Sequence, residues 1–219
     1  MYLLVGILFI VSFVLWTLAV SFVDVQPIGP QESSVGFAKI NTYIHNLFGV
    51  HMSLYIVTDW LSLVPLAFAF AFAALGLAQW IKRKHIANVD VTILVLGAFY
   101  LIVMSIYLLF ESVVINYRPV LINGYLEASY PSSTTMLCLC LLPSAAIQLK
   151  ERIKHIFFRR AITTGIHLFS LFMIIARLLS GVHWITDIIA GVLISTGLLF
   201  LYKACCIVAR RKAPIDYKK

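Results

Sequence analysis

Three short runs in this chain of 219 residues carry residue types that apolar packing does not call for. The first is Glu111 with Asn116-Tyr117-Arg118-Pro119, and the second is Tyr130-Pro131-Ser132-Ser133-Thr134. The third is Ala176-Arg177 followed by His183 and Asp187. The chemistry they suggest is the handling of phosphate. Arg118 and Arg177 offer planar guanidinium forks that match phosphate oxygens and stay charged at any working pH. Pro131 suits a first helical position, so the free amides of Ser132, Ser133 and Thr134 would point at an anion, with their hydroxyls as further donors. His183 and Asp187 are four residues apart and would share a helix face. The carboxylate can then hold one imidazole nitrogen while the other faces a substrate. A histidine so held beside two arginines is suited to attack phosphorus. Taken singly, each run has an ordinary structural use as an interfacial stop, a helix start or a hydrogen-bonded pair.

The elements that must position these residues are membrane helices. The chain is 62% hydrophobic and 12% charged, with a mean hydropathy of +0.98. A soluble domain is about 45–50% apolar and about 25% charged, so disorder, a rod and an ordinary cytosolic enzyme are excluded. Apolar runs predict six spans, at 2–23, 60–81, 91–110, 131–149, about 161–179 and about 184–202, in one domain covering residues 1–219. The fourth opens on polar residues that must face protein or water, and Pro143 within it predicts a kink. The formal charge of +8 does not call for nucleic acid. Lys82, Arg83 and Lys84, then Lys150, Arg152, Lys154, Arg159 and Arg160, then Lys203, Arg210, Arg211, Lys212, Lys218 and Lys219 all fall on one side of this layout. Only Lys39, Arg118 and Arg177 fall on the other. The positive-inside rule then makes both termini cytoplasmic and puts all three polar runs at the outer face. The outer segment 24–59 carries Phe37, Ile40, Ile44, Leu47 and Phe48 at the spacing of an amphipathic helix, which either shapes substrate entry or caps the bundle. Cys138, Cys140, Cys205 and Cys206 lack partners at zinc-like spacing and read as small buried hydrophobes.

Within residues 111–187, Arg118-Pro119, Pro131-Ser132 and Arg177-x5-His183-x3-Asp187 resemble the motifs of the type 2 phosphatidic acid phosphatase family of membrane lipid phosphatases. That family's pattern is Lys-x6-Arg-Pro, Pro-Ser-Gly-His and Ser-Arg-x5-His-x3-Asp, and the spacing here matches to the residue. The resemblance implies a six-helix membrane bundle in which His183 attacks phosphorus to form a phosphohistidine and Asp187 orients it. Arg118, Arg177 and the segment Ser132, Ser133, Thr134 would hold the phosphoryl oxygens, with no metal and no cofactor.

The sequence departs from that pattern at four positions. Glu111 stands where the family has lysine, Ser133 where it has glycine, Thr134 where it has the general-acid histidine, and Ala176 where it has serine. Glu111 lies seven residues before Arg118, about two helical turns, so pairing between them is expected. A threonine hydroxyl is too weak an acid to replace histidine, and general acid–base catalysis contributes about 10²–10⁴-fold. Glu111, His45, His51, Tyr130 or water would have to supply the proton. A diphosphate, whose leaving group is itself a phosphate, needs that help least. The reading is therefore a multi-pass cell-membrane phosphatase, bacterial, acting on a lipid phosphate or prenyl diphosphate at the extracytoplasmic face. The alternative is a catalytically degenerate member that binds or carries a lipid phosphate. Oligomeric state is not read from the sequence.

Overall fold

The computed structural model describes residues 1–212, and over these the chain is helical, with three isolated bridges and no named strand. The basic residues Lys218 and Lys219, counted above for sidedness, lie outside the described residues. Helix α1 is Tyr2–Phe22, α2 Ala38–Phe48, α3 Met52–Leu61, α4 Leu63–Arg83, α5 Val91–Ser112, α6 Ser133–Arg152, α7 Ile156–Leu179 and α8 Ile185–Lys212. Six segments among the described residues are long and apolar enough to cross a membrane, with α3 and α4 together forming the second, Met52–Arg83.

The six-span layout holds, and the boundaries shift for physical reasons. The second span begins eight residues before the expected 60, because α3 is already helical from Met52, with His51 as its N-cap. Ser53, Thr58 and Asp59 lower the local hydropathy without breaking the helix. Only Ser62 separates α3 from α4. The amphipathic segment expected between 37 and 48 is α2. The fourth span starts at Ser133, with Ser132 as N-cap, so Pro131 lies outside the helix rather than at its first position. Helix α6 runs through Pro143 as one assigned helix.

Helix α6 explains its own polarity. Two thirds of its span is buried inside the protein, against a sixth for α1. Lipid tails are as apolar as leucine, so apolar area alone does not draw a membrane helix inward. Small residues that allow close approach and polar residues that need partners do. Helix α6 has both: Cys138, Cys140, Ser144, Ala145, Ala146 and Gln148 are all essentially inaccessible. It packs against α4, α5, α7 and α8. Helix α1 instead shows Leu3, Leu4, Leu8, Leu15 and Leu18 outward, as a lipid-facing helix should. It meets α8 where Gly6 lies under Leu201 and Gly197 under Ile10, at distances that leave no room for a Cβ.

The antiparallel order brings segments 23–51, 113–132 and 180–184 to one end of the bundle. The opposite end gathers the α4–α5, α6–α7 and α8 termini, tied by ion pairs of Asp90 with Arg83 and Arg152 and of Arg210 with Glu151.

Candidate functional site

The site sits at the end that holds the 113–132 loop. Helix α5 ends at Ser112, and Val113 takes extended geometry. The chain then folds back on itself: Arg118 N–H donates to the Glu127 carbonyl, Ser129 N–H to the Asn116 carbonyl, and Tyr117 bridges Ala128. This turn carries Arg118 inward. It is pinned by Trp184, whose indole N–H donates to the Tyr117 carbonyl at 2.7 Å. Helix α7 ends at Leu179 with Ser180 as its C-cap. The chain reverses at Gly181, whose φ is +69° and whose missing Cβ would stand 2.0 Å from the Gly49 carbonyl oxygen. Only glycine fits both demands. The reversal delivers His183 to the mouth of α8, and the Ser180 carbonyl accepts the His51 N–H at the base of α3.

Arg118, Arg177, His183 and Asp187 are brought together, all buried. Arg118 Nη1 lies 3.1 Å from His183 Nε2. A guanidinium only donates, so Nε2 is the accepting nitrogen and the partner assigns the neutral tautomer with its proton on Nδ1. That Nδ1 faces Asp187 Oδ2 at 3.7 Å, beyond hydrogen-bond range. Asp187 is closer to other donors: Asn116 Nδ2 to Oδ1 at 3.1 Å, and Trp184 N–H to Oδ2 at 3.1 Å. The second contact is the reach-back half of a capping box, since Trp184 immediately precedes α8 and Asp187 is its third residue. His183 therefore stands just before the helix rather than on it, which corrects the expectation of a shared helical face. Burial first, and then the positive charges of Arg118 and Arg177, hold the His183 pKa well below the ordinary 6.5. The imidazole is neutral at neutral pH, the form that has a lone pair to use.

Arg177 is held by α3, which the sequence did not connect to it. Its Nη1 donates to Thr58 Oγ1 at 3.0 Å and to the Tyr55 carbonyl at 3.4 Å, and its Nη2 lies 3.6 Å from Asp59. The Tyr55 ring lies 4.7 Å from the Arg177 guanidinium and 5.9 Å from that of Arg118, so one aromatic ring borders both cations. Arg118 pairs with Glu127, Nε to Oε2 at 3.0 Å but not aligned as a hydrogen bond. Glu111 is not its partner, because the helix ends at Ser112 and the two-turn geometry never forms. Glu111 instead lines a cleft with Tyr107, Ser129, Pro131 and Ser133.

Ser132 departs from expectation in one respect. Its amide is not free but donates to the Asp187 carbonyl at 3.1 Å, which ties the start of α6 to α8. The first-turn amides without helical acceptors are those of Ser133, Thr134 and Thr135. The hydroxyls of Ser132 and Thr135 are buried without partners, and Thr134 is buried as well. Of the other residues named as proton sources, Tyr130 bonds Thr17 at 2.7 Å and exposed His51 bonds the Phe48 carbonyl. Half-buried His45 lines, with His183 and Trp184, a cavity of about 10 Å³, room for about one water. Among the described residues no three metal-ligating His, Cys, Asp or Glu side chains come together.

Asn116, Tyr55, Thr58, Asp59 and Glu127 are site neighbours. Of these only Asn116, within the first polar run, and Asp59, as an acid flanking the outer segment, carried any signal in the sequence.

No curated protein matches the sequence. A solved structure, described as the first transmembrane PAP2 type phosphatidylglycerolphosphate phosphatase from Bacillus subtilis, shares the fold. The TM-score is 0.62 at 18% identity, over 98% of this chain and 100% of that one. Residues 112–210, which hold both arginines, the start of α6, His183 and Asp187, match the PAP2 superfamily. With six helices long and apolar enough to cross a membrane and a fold shared with a transmembrane protein, the chain is a multi-pass membrane protein whose site-bearing residues 112–210 match the PAP2 superfamily.

Proposed function

We propose that this protein is a membrane phosphatase that hydrolyses a lipid phosphate or a prenyl diphosphate through a phosphohistidine intermediate, at the extracytoplasmic face. The observation that carries the reading is the 3.1 Å contact between Arg118 Nη1 and His183 Nε2, with Arg177 against the Tyr55 ring that also borders Arg118. It gathers a neutral nucleophile and two fixed cations into one buried cluster.

In this reading His183 Nε2 attacks phosphorus as the bond to the leaving oxygen breaks. Positive charge on the imidazole is offset by Asp187, and the non-bridging oxygens are held by Arg118, Arg177 and the amides of Ser133 and Thr134 at the start of α6. Water then attacks the phosphohistidine, which releases inorganic phosphate and restores the neutral ring. Thr134 supplies no acid, so a leaving group that departs without strong protonation reacts fastest, which favours a diphosphate. Glu111 shares its cleft with Ser129 and with Ser133 at the start of α6, and is the carboxyl placed to modulate that step. The extracytoplasmic placement and cytoplasmic termini rest on the basic residues gathered at the opposite end of the bundle.

The test is phosphate release by the detergent-purified protein from prenyl diphosphate, phosphatidic acid and phosphatidylglycerol phosphate in parallel, with His183→Ala as control. Release that disappears in the variant, fastest for the diphosphate, is expected. Folded protein that releases no more than the variant from any of the three overturns hydrolysis in favour of a binding or carrier role.

A further inference from the structure

The two guanidinium groups at the site are each engaged by a carboxylate of the same chain, and both carboxylates are partly exposed at the protein surface. Asp59, 59% exposed, sits 3.6 Å from Arg177, and Glu127, 41% exposed, sits 3.0 Å from Arg118. The arginine side chains themselves are 2% and 9% exposed. Neither pair has the geometry of a strong one. The first is long, and the second is not aligned as a hydrogen bond, leaving Arg118 Nε without one; Arg177 Nε is likewise unpartnered. A carboxylate meant to fix a buried arginine would be buried with it and bidentate. These two lie toward the surface, one on α3 and one on the 113–132 loop, each held to its arginine by one contact that is long or misaligned.

We propose that Asp59 and Glu127 are internal competitors for the anion site, occupying the two arginines so that singly charged phosphodiester headgroups do not. The inference rests on the reading of Arg118 and Arg177 as phosphate ligands. Its physical basis is a threshold. A membrane surface presents phosphodiesters, each with one negative charge, at high local concentration beside any cationic site open to it. A tethered carboxylate has the same charge and a high effective concentration, so a diester gains little by displacing it. A phosphomonoester carries about 1.5 to 2 negative charges at neutral pH, and a diphosphate more, so either gains enough from the two guanidinia to displace both acids. The competitors weaken every anion by a common factor, and only the doubly charged ones remain bound. The same acids return to the arginines as inorganic phosphate leaves.

The experiment measures the concentration dependence with which orthophosphate and dimethyl phosphate raise the melting temperature of the full-length protein in detergent. Asp59→Asn, Glu127→Gln and the double variant are compared with the parent protein. Arg118→Ala serves as the variant that lacks a phosphate ligand, and Glu32→Gln removes an exposed charge outside the site. An ion pair with its carboxylate at the surface and a long or misaligned contact is worth a few-fold in an equilibrium, so each single variant should bind both anions about threefold more tightly and the double about tenfold. Dimethyl phosphate should become detectable only when an acid is gone, and Glu32→Gln should change little. Melting without ligand reports whether each variant is folded. If both anions bind the double variant as they bind the parent, or more weakly, the acids merely position the arginines and the proposal fails while the phosphate site stands. If Glu32→Gln tightens binding as much, general charge explains the effect and the proposal fails. If orthophosphate binds neither the parent nor the variants, the phosphate-site reading falls and takes this one with it.

Discussion

The two ends of the bundle both bury polar groups, and they treat them differently. At the end away from the site, Gln148 uses its whole amide. Its oxygen accepts from Thr92 Oγ1 and Arg152 Nη1, and its nitrogen donates to the Thr92 carbonyl and to Tyr202 Oη. Arg152 continues to Asp90, which also takes Gln79 and Arg83. At the site end, His183 Nδ1, Arg118 Nε, Arg177 Nε, Ser132 Oγ and Thr135 Oγ1 are buried without hydrogen-bond partners. A buried polar atom left unpaired costs about 1–3 kcal/mol, so a native structure keeps such a group where something else uses it. Satisfied burial is what a structural network looks like. Unsatisfied burial, concentrated in one cluster, is what a binding site looks like.

The sharpest break between the two ends should come from one substitution at each. His183→Ala removes the proposed nucleophile and should lower phosphate release by more than about 10³-fold, with the melting temperature nearly unchanged. Gln148→Ala should do the reverse. A membrane hydrogen bond averages about 0.6 kcal/mol, so losing the amide's set should cost about 2 kcal/mol of stability while turnover per folded molecule stays close to that of the parent. Melting and phosphate release measured on both variants decide it. If His183→Ala unfolds the protein or Gln148→Ala abolishes turnover without unfolding, the division of labour between the ends is wrong.

A third effect is smaller and depends on pH. Because the folded pKa of His183 is depressed below 6.5, protonation of the nucleophile should not limit kcat/KM until well under that pH. The acid limb of the profile belongs below 6.5. The same shift has a stability consequence. A histidine kept neutral by folding contributes stability above its unfolded pKa, and that contribution is lost as pH falls below about 6.5, by at most about 1.4 kcal/mol per pH unit. His183→Asn should flatten that slope. An acid limb centred at about 6.5 or above would mean that the imidazole is solvated.

Much of this was legible from the residues. The six spans follow from apolar length, and the polar start of the fourth, the weakest by hydropathy, already required that end to face protein or water. The motif spacing located Arg118, His183 and Asp187, which converge. What the sequence hid were pairings that depend on where helices start and stop. Glu111 and Arg118 are seven apart, a spacing that suggests two helical turns, but α5 ends at Ser112 and the loop that follows carries Arg118 away from Glu111. Glu127 reaches Arg118 because the 113–132 loop doubles back, and Asp59 reaches Arg177 from a distant part of the chain because α3 starts eight residues before its hydropathy announces it. No local pattern encodes a contact of that kind.

The smallest expected effect tests whether the satisfied end is held by its geometry or by its charge. Burial acts to raise the Asp90 pKa, but hydrogen bonds from Gln79 and Arg83 and the charges of Arg83 and Arg152 outweigh it, so the net shift is below 3.8. A depressed carboxylate contributes stability that is present above about 3.8 and lost as pH falls through the lowered value. The side chain is 36% exposed, so solvent screens the pair with Arg83. Asp90→Asn keeps the shape and the Gln79 contact while removing the charge, and should cost less than about 1 kcal/mol at neutral pH. That loss should shrink further in about 1 M salt, where the screening length falls to about 3 Å. A loss as large as that of Gln148→Ala, unmoved by salt, would show that the ion pairs rather than the amide network hold this end together, and the contrast with the site would have to be drawn in charge instead of hydrogen bonds.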